Sequence, residues 1–349
     1  MAFFLEPTMW QDLIDLTMLA GWMDAQFLGT GPIKHPRALG GGTQNVLLFF
    51  ERAGRPYVLR RPPPHPRPAS NETIRREIRV LGALAGSAVP HPALIAGCGD
   101  EAVLGTAFYL MEPVDGFNAT VAMPALHAAD PAIRHAMGLS LIDGIAALGQ
   151  VDHVAVRLAD FGKPEGFLQR QPARWLAQLG SYAASPGWPG ATGLPGVSRV
   201  ADWLARHTPP HFAPGIMHGD FHLANVMFRH DGPRLAAIVD WELATIGDPL
   251  LDLGWLLATW PAAGEAWAIG VSPWDGFPTP AELIARYRDL TTRDLSAIDW
   301  YAVLACFKLA IILEGTHARA CAGAAPTATG DRLHAHAVGL FERAGKWIS

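Results

Sequence analysis

The sequence predicts a bilobal α+β fold: a small N-lobe built on an antiparallel sheet plus one key helix, then a larger, mostly helical C-lobe. Three observations predict it. Strand-like runs with turn residues between them fall between about residues 39 and 111. Helical periodicity dominates from about residue 132 to the C-terminus. A hairpin, IMHGDFHLANVMFRHDGPRLAAIVDWE at Ile216–Glu242, with an apolar entry and an apolar run before Asp240, interrupts those helices. The break at Glu112-Pro113-Val114-Asp115-Gly116 places the lobes at residues 1–112 and 113–349.

Taken in order, Trp10–Phe27 reads as an amphipathic helix, its apolar residues interrupted by Asp12 and Asp15. Leu39-Gly40-Gly41-Gly42-Thr43-Gln44-Asn45 then leads into a hairpin of Val46–Phe50 and Tyr57–Arg60, with turn chemistry at Arg52-Ala53-Gly54. Prolines at 62, 63, 64 and 66 end it. A helix is expected over Asn71–Ala85 with Ser70 as its N-cap. Its apolar stripe of Ile74, Ile78, Leu81 and Ala85 contains Glu77, and a carboxylate turned inward needs a partner. Two further strands are expected at Ala93–Gly97 and Phe108–Met111. Helices follow at about 132–149, 172–183, 198–207, 249–260, 280–289, 295–321 and 328–347, with a Gly/Pro-rich loop at 184–197.

Composition narrows the function. Half of the 349 residues are apolar, which suits a large core rather than disorder. The formal charge of −5 weighs against a nucleic-acid binder. Cys98, Cys306 and Cys321 are odd in number and form no CxxC pair, so a reducing cytoplasm is expected and a disulfide framework is not. Acidic Glu6, Asp12 and Asp15 argue against a signal peptide, and no apolar run is long enough for a membrane span. G-x-x-x-x-G-K-[ST] is absent, so a P-loop enzyme is not expected.

The hairpin at 216–242 carries the chemistry. Asp220 follows His218-Gly219, Asn225 comes five residues later, and Asp240 ends the apolar run Ala236–Val239. One carboxylate to orient a hydroxyl, with a second carboxylate and an amide to hold Mg²⁺ against phosphates, is a layout for phosphoryl transfer. Asp220 is the candidate catalytic base. Asn225 and Asp240 are the candidate Mg²⁺ ligands, with Glu242 as a possible addition. His218 fits a prop for the loop better than a proton carrier, and His222 could touch phosphate or acceptor. Arg60 is the candidate partner of both Glu77 and the α/β-phosphates, with Arg61 open as the alternative if the strand bulges; alternation puts the two on opposite faces. Gly40, Gly41, Gly42, Thr43 and Asn45 form a candidate phosphate cradle. Met111, Glu112 and Val114 form the candidate adenine-facing connector, where Pro113 has no N–H to donate. Asp248 and Asp252 read as structural, capping a helix and holding the catalytic loop.

These motifs resemble the aminoglycoside phosphotransferase and choline kinase superfamily, which shares the protein-kinase fold. His218-Gly219-Asp220 with Asn225 is similar to its catalytic loop. Asp240-Trp241-Glu242 stands at its metal-binding Asp, and Glu77 at its helix Glu. Arg60 departs from the usual Lys, which changes the geometry of phosphate contact. Within the superfamily, Tyr57–Pro63, Tyr109–Glu112, Gln169-Arg170-Gln171 with Arg174-Trp175, and Gly247–Gly254 resemble the phosphotransferase domain fused to some acyl-CoA dehydrogenases and its free-standing bacterial relatives.

The resemblance implies an ATP- and Mg²⁺-dependent transfer to a hydroxyl of a small molecule, with a hydroxyacyl-CoA or hydroxy acid as the implied acceptor. The alternatives are an aminoglycoside O-phosphotransferase and a nucleotide-binding pseudokinase. No nucleic-acid or membrane partner is expected of a cytoplasmic monomer or homodimer. An aminoglycoside would need a densely acidic pocket, yet Asp289, Asp294 and Asp299 are interleaved with Arg286, Arg288 and Arg293. Lys308, Arg319, His317, His334 and His336 suit an anionic or acyl acceptor, or equally a solvated helix face.

Overall fold

The computed structural model describes residues 10–40, 45–261 and 270–348. Helix α1 (Leu16–Ala25) is shorter than the apolar pattern suggests. Asp15 ends the preceding turn and accepts from the Thr17 and Met18 amides at 2.8 and 3.0 Å, so it acts as an N-cap. Strands β1 (Lys34–Ala38), β2 (Val46–Arg52) and β3 (Arg55–Arg61) come next, then helix α2 (Ser70–Leu84) and strands β4 (Leu94–Cys98) and β5 (Phe108–Met111). They form an antiparallel sheet in the order β1-β2-β3-β5-β4. Ala53 and Gly54, both at positive φ (51° and 76°), close the β2–β3 hairpin with a turn whose twist matches the strands. Edge strand β1 lies outside the expected set. It contains Pro36 and is largely exposed, so it lacks the alternation that announces a half-buried strand.

Ser70 is not the N-cap of α2. The chain is already in the α region at Ala69 (φ −87°, ψ −3°), and an N-cap needs extended backbone there, so Ser70 becomes the first helical residue. The helix buries Ile74, Glu77, Val80, Leu81 and Leu84.

The C-lobe holds α3 (Ala125–Ala129), α4 (Pro131–Gln150), α5 (Phe167–Ser181), α6 (Val197–Arg206), α7 (Leu250–Thr259), α8 (Pro280–Leu290), α9 (Ile298–Cys321) and α10 (Thr327–Trp347). Thr279 and Glu282 make a reciprocal capping box at α8, ahead of Pro280. Between α6 and α7 lie four short strands: β6 (Gly215–Met217), β7 (Val226–Phe228), β8 (Leu235–Ile238) and β9 (Thr245–Gly247). The inner pair β7–β8 is a hairpin and the outer pair β6–β9 brackets it, both antiparallel. This nesting puts the two connecting segments, 218–225 and 239–244, at the same end of the strands.

Two apolar clusters hold the fold. Leu19 and Met23 of α1 pack with Leu48, Phe50, Leu59, Phe108 and Leu110 of the sheet. A larger cluster runs from Ile74 and Leu81 of α2 through Tyr109 into the C-lobe helices. The sheet therefore has α1 on one face and α2 on the other, and alternate residues of β3 go to different sides. Among the described residues no helix is long and apolar enough to cross a membrane.

Candidate active site

Arg60 and Arg61 separate as strand alternation requires. Arg61 donates to the Leu13 and Leu104 carbonyls, on the α1 side. Arg60 faces α2, its Nε 2.9 Å from Glu77 Oε2 and its Nη2 2.7 Å from Asp240 Oδ1. Glu77 is fully buried, and the Tyr109 hydroxyl donates to it at 2.8 Å. Burial works against the Arg60 charge, but the Glu77 and Asp240 carboxylates outweigh it and hold the guanidinium above its ordinary range. Burial likewise pushes the Glu77 carboxyl up, against the pull of Arg60 and the Tyr109 hydrogen bond. Arg60 thus ties the sheet and α2 to the segment after β8, a contact spanning 180 residues of chain.

The loop after β6 is braced from behind. His218 is fully buried, and its Nε2 lies 2.9 Å from the Val239 carbonyl. Burial lowers its pKa, against the nearby Asp220 charge. The ring is a strut joining the two connecting segments. Asp252 of α7 accepts from the His218 and Gly219 amides at 2.6 and 2.8 Å. Burial raises the Asp252 carboxyl to about 7 even though both amides favour its charge. Asp248 accepts from the Leu250 amide at 3.1 Å and from the Tyr301 hydroxyl at 2.5 Å. Gly219 has φ +86°, and a Cβ there would stand 2.6 Å from the Leu243 carbonyl oxygen, so only glycine suits this bend.

The bend turns Asp220 toward the open side. Asn225 Nδ2 donates to the Asp220 carbonyl at 2.9 Å and to its Oδ2 at 3.0 Å. His222 Nε2 lies 3.5 Å from Asp220 Oδ1, while its Nδ1 accepts from the Ala224 amide. Burial would raise Asp220, but His222, His218 and Lys308 bring it down to about 2. Asp240 sits in the left-handed region (φ 66°, ψ 62°) with its side chain 39 % exposed. Burial and the Asp240 charge push the Glu242 carboxyl up. Three carboxylates, Asp220, Asp240 and Glu242, thus gather with one oxygen of Asp240 taken by Arg60.

The remaining candidates lie around the sheet. Asn45 immediately precedes β2; Gly41, Gly42 and Thr43 lie outside the described residues. Met111 ends β5 opposite Val58. The Glu112 amide is spent on the Ala93 carbonyl at 2.9 Å, and its carboxylate is 2.8 Å from Arg55 Nη2. Any donor in this connector therefore comes from beyond Glu112, where Val114 follows Pro113.

Tyr109 was missed as part of this cluster, and Lys308, expected near an anionic acceptor, was not expected against the catalytic loop. Tyr109 is the cross-strand neighbour of Arg60, so the β3–β5 pairing was the signal that would have found it. Lys308 is half-buried on α9, donates to the Gly219 carbonyl at 3.1 Å and sits 4.2 Å from the Trp255 ring centre. Burial lowers its ammonium, opposed by Asp220 and Asp252. No local pattern links it to a loop 89 residues away. Beside it opens a cavity of about 460 Å³ whose lining includes Arg76, Arg174, Trp175, Gly219, Glu242 and Lys308. A larger cleft of about 1090 Å³, lined by His207, Phe212, Asp248, Arg293 and Tyr301 among others, contains none of the candidate catalytic, metal or nucleotide-binding residues.

The small sheet-based lobe, the helical lobe and the nested ladders between them make a kinase-like fold. The chain belongs to the phosphotransferase enzyme family, whose profile matches residues 35–289. A solved structure from Ralstonia eutropha, provisionally titled an aminoglycoside phosphotransferase, is 32% identical, with a TM-score of 0.78 over 95% of this chain and 98% of that one. Aminoglycoside phosphotransferase APH(4)-Ia, solved with ADP and hygromycin B, shares the fold at 15% identity and a TM-score of 0.55, covering 94% of this chain and 98% of that one. Acyl-CoA dehydrogenase family member 10 of Mus musculus is 31% identical over 82% of this chain and 27% of its own length. Family member 11 of Homo sapiens is 31% identical over 80% of this chain and 35% of its own length. The chain therefore spans only about a quarter to a third of these curated relatives.

Proposed function

We propose that this chain transfers the γ-phosphoryl group of ATP, with Mg²⁺, to a hydroxyl of a small anionic acceptor, a hydroxy acid or hydroxyacyl-CoA. The observation that carries this reading is the convergence of Asp220, Asn225 and Asp240 at one end of the nested ladders, with Arg60 bridging Asp240 to Glu77. Asp220, ionised from about pH 2 upward, orients the acceptor hydroxyl and takes its proton as the bond to phosphorus forms. Asn225 uses its Nδ2 on Asp220, which leaves its oxygen for a cation. Asp240 offers its second carboxylate oxygen. These hard oxygens suit Mg²⁺, and the Asp240 charge, which adds to burial in lifting Glu242, is what a divalent cation would offset. When bound, Mg²⁺ would neutralise phosphate charge.

Arg60, with Asn45 and the glycines 41 and 42 beside Thr43, is the proposed phosphate-binding set. Met111, Glu112 and Val114 are the proposed base-binding connector, and the lobe boundary falls at 112/113. His218 acts as a positioning residue through Val239. The acceptor occupies the 460 Å³ cavity, where Arg76, Arg174 and Lys308 supply positive charge and Trp175 and Trp255 supply apolar walls. That lining suits a carboxylate or thioester-linked phosphate better than the ammonium groups of an aminoglycoside. The names of the acyl-CoA dehydrogenase relatives agree with an acyl acceptor.

The test is Mg²⁺-ATP consumption against 3-, 4- and 5-hydroxyacyl-CoAs, free hydroxy acids, choline-like amines and aminoglycosides, with Asp220→Ala in parallel. Turnover confined to hydroxy acids or hydroxyacyl-CoAs and abolished in the variant is expected. Turnover on aminoglycosides alone would overturn the acceptor class. Nucleotide binding without turnover on any acceptor would favour a binding module in which Arg60 marks lost catalysis.

A further inference from the structure

The C-terminal part of α9 and the N-terminal part of α10 meet in a polar cluster that the phosphotransfer reading does not use. Glu314, His317 and Cys321 fall at i, i+3 and i+7 on α9, so they share one face. Helix α10 runs back along that face and brings His334 against it. Glu314 is fully buried, and the side chains of His317 and His334 are only 12 % and 26 % exposed. One potential ligand atom from each of Glu314, His317 and His334 lies within 4.8 Å of the other two.

The details fit a ligand set. Glu314 takes the Trp188 indole N–H at 2.7 Å on Oε1 and faces His334 Nδ1 at 2.7 Å through Oε2. The Trp188 bond fixes the carboxylate's orientation, as an outer hydrogen bond does for a metal-bound carboxylate. The two imidazole rings lie 4.5 Å apart, tilted by 32°. His317 Nδ1 has no hydrogen-bond partner and stands 3.8 Å from Asp331 Oδ1. Its Nε2 is 3.6 Å from Cys321 Sγ. A tetrahedral ion with bonds of about 2.0–2.1 Å to nitrogen and oxygen places its ligands roughly 3.3 Å apart. The three ligand atoms already lie within 4.8 Å of one another, so the cluster is close to that spacing.

We propose that Glu314, His317 and His334 bind a divalent transition-metal ion of the zinc type, with Cys321 or a water completing the shell. Two imidazoles and a carboxylate beside a thiol favour zinc over Mg²⁺ or Ca²⁺, which take oxygen ligands. Binding through His334 Nδ1 requires that nitrogen to be free of its proton, which the neutral ring then carries on Nε2. The ion would clamp α10 onto α9, the helix that carries Lys308 beneath the catalytic loop.

The test uses the full chain, freed of any histidine tag and stripped with chelator. Zn²⁺ is titrated against a chromophoric competitor in the wild type, His317→Gln and His334→Gln. One tight equivalent is expected in the wild type, weakened at least ~100-fold in both variants, in line with loss of a ligand rather than its support. His317→Gln leaves the Glu314–His334 bond in place, so it keeps the test open should His334→Gln fail to fold. Co²⁺ should give the intense visible bands of a four-coordinate site in the wild type alone. Equal Zn²⁺ affinity in wild type and His317→Gln, or no binding at micromolar Zn²⁺, would overturn the site and leave a hydrogen-bonded staple between the helices.

Discussion

The charge cluster beneath the sheet and the cavity beside Gly219 share a loop, yet they are built in opposite ways. The cluster of Arg60, Glu77, Asp220, Asn225 and Asp240 comes from three short windows of sequence and is locked by contacts of 2.7–3.0 Å. The cavity takes residues from α2, α5, α7, α9 and the catalytic hairpin, and its walls are mostly apolar. Donor chemistry needs a few atoms at fixed positions. An acceptor site needs only a shape and a charge, which many helix combinations supply. The first is therefore written in local spacing, and the second emerges only from packing.

The sharpest way to break this contrast is at the cluster. Asp220→Ala should lower kcat by ~10²–10⁴-fold, the usual worth of a positioned base, with ATP affinity little changed. Asp240→Asn should cost as much and also weaken the Mg²⁺ dependence of nucleotide binding. Single-turnover phosphate transfer and equilibrium nucleotide binding separate the two. If Asp220→Ala keeps wild-type turnover, the assignment of the base is wrong.

Next in size is the Arg60–Glu77 pair, where removal of one partner leaves a buried charge alone. Arg60→Ala should destabilise the fold by about 3–5 kcal/mol in urea unfolding. Arg60→Ala combined with Glu77→Leu should recover part of that loss, because no lone carboxylate remains. Arg60→Lys keeps the charge but gives up the fork that reaches Glu77 and Asp240 together, so the expected loss lies in turnover more than in stability. A double variant as unstable as the sum of its parts would mean that the pair does not act as one unit.

Much of this cluster was readable because its logic is local. Glu77 lies in the apolar stripe of α2, and the alternation of β3 assigns Arg60 and Arg61 to opposite faces before any contact is seen. The hairpin within 216–242 was readable, but the outer ladder β6–β9 that brackets it was not. The three-residue strands β6 and β9 are too short to show a period, and pairing across 30 residues leaves no local trace. Strand β1 hid behind Pro36 and its exposure. The Ser70 cap failed because the preceding turn had already entered the helical region at Ala69. Tyr109 and Lys308 meet their partners only through tertiary structure, which is also why the cavity could not be drawn from composition.

The brace of the loop and the base it positions respond to pH in opposite ways. Asp252 has a folded-state carboxyl raised from the ordinary carboxylate range to about 7, so the folded chain holds a proton that the unfolded chain has lost. Stability from this group is greatest below about pH 4 and declines as pH rises toward 7, by up to roughly 4 kcal/mol. Asp220, lowered to about 2, acts the other way and in a lower window, its contribution fading only as pH falls from about 4 toward 2. Urea unfolding of wild type and Asp252→Asn at pH 4.5, 5.5, 6.5 and 7.5 isolates the upper window. The wild type's advantage over the variant should shrink with rising pH. A constant difference across the series would mean that Asp252 is ionised throughout and that the two amides fully offset its burial.

The smallest effect is expected at the cavity. Arg174 lines it without a part in the ion-pair network of the cluster, and its guanidinium lies 5.5 Å from the Trp175 ring centre. A charged hydrogen bond to an acceptor carboxylate or phosphate is worth about 1.5–3 kcal/mol. Arg174→Ala should therefore raise KM for the anionic acceptor by ~10–100-fold and leave KM for ATP and kcat nearly unchanged. Arg174→Lys should recover part of the loss, since charge survives while the planar fork does not. The effect should also shrink as salt screens the attraction, whereas the Asp220→Ala defect should not change with ionic strength. If Arg174→Ala lowers kcat with every acceptor by the same factor, the residue supports the catalytic loop rather than the acceptor. The division between a locally encoded donor side and a packed acceptor side would then have to be redrawn with α5 on the donor side.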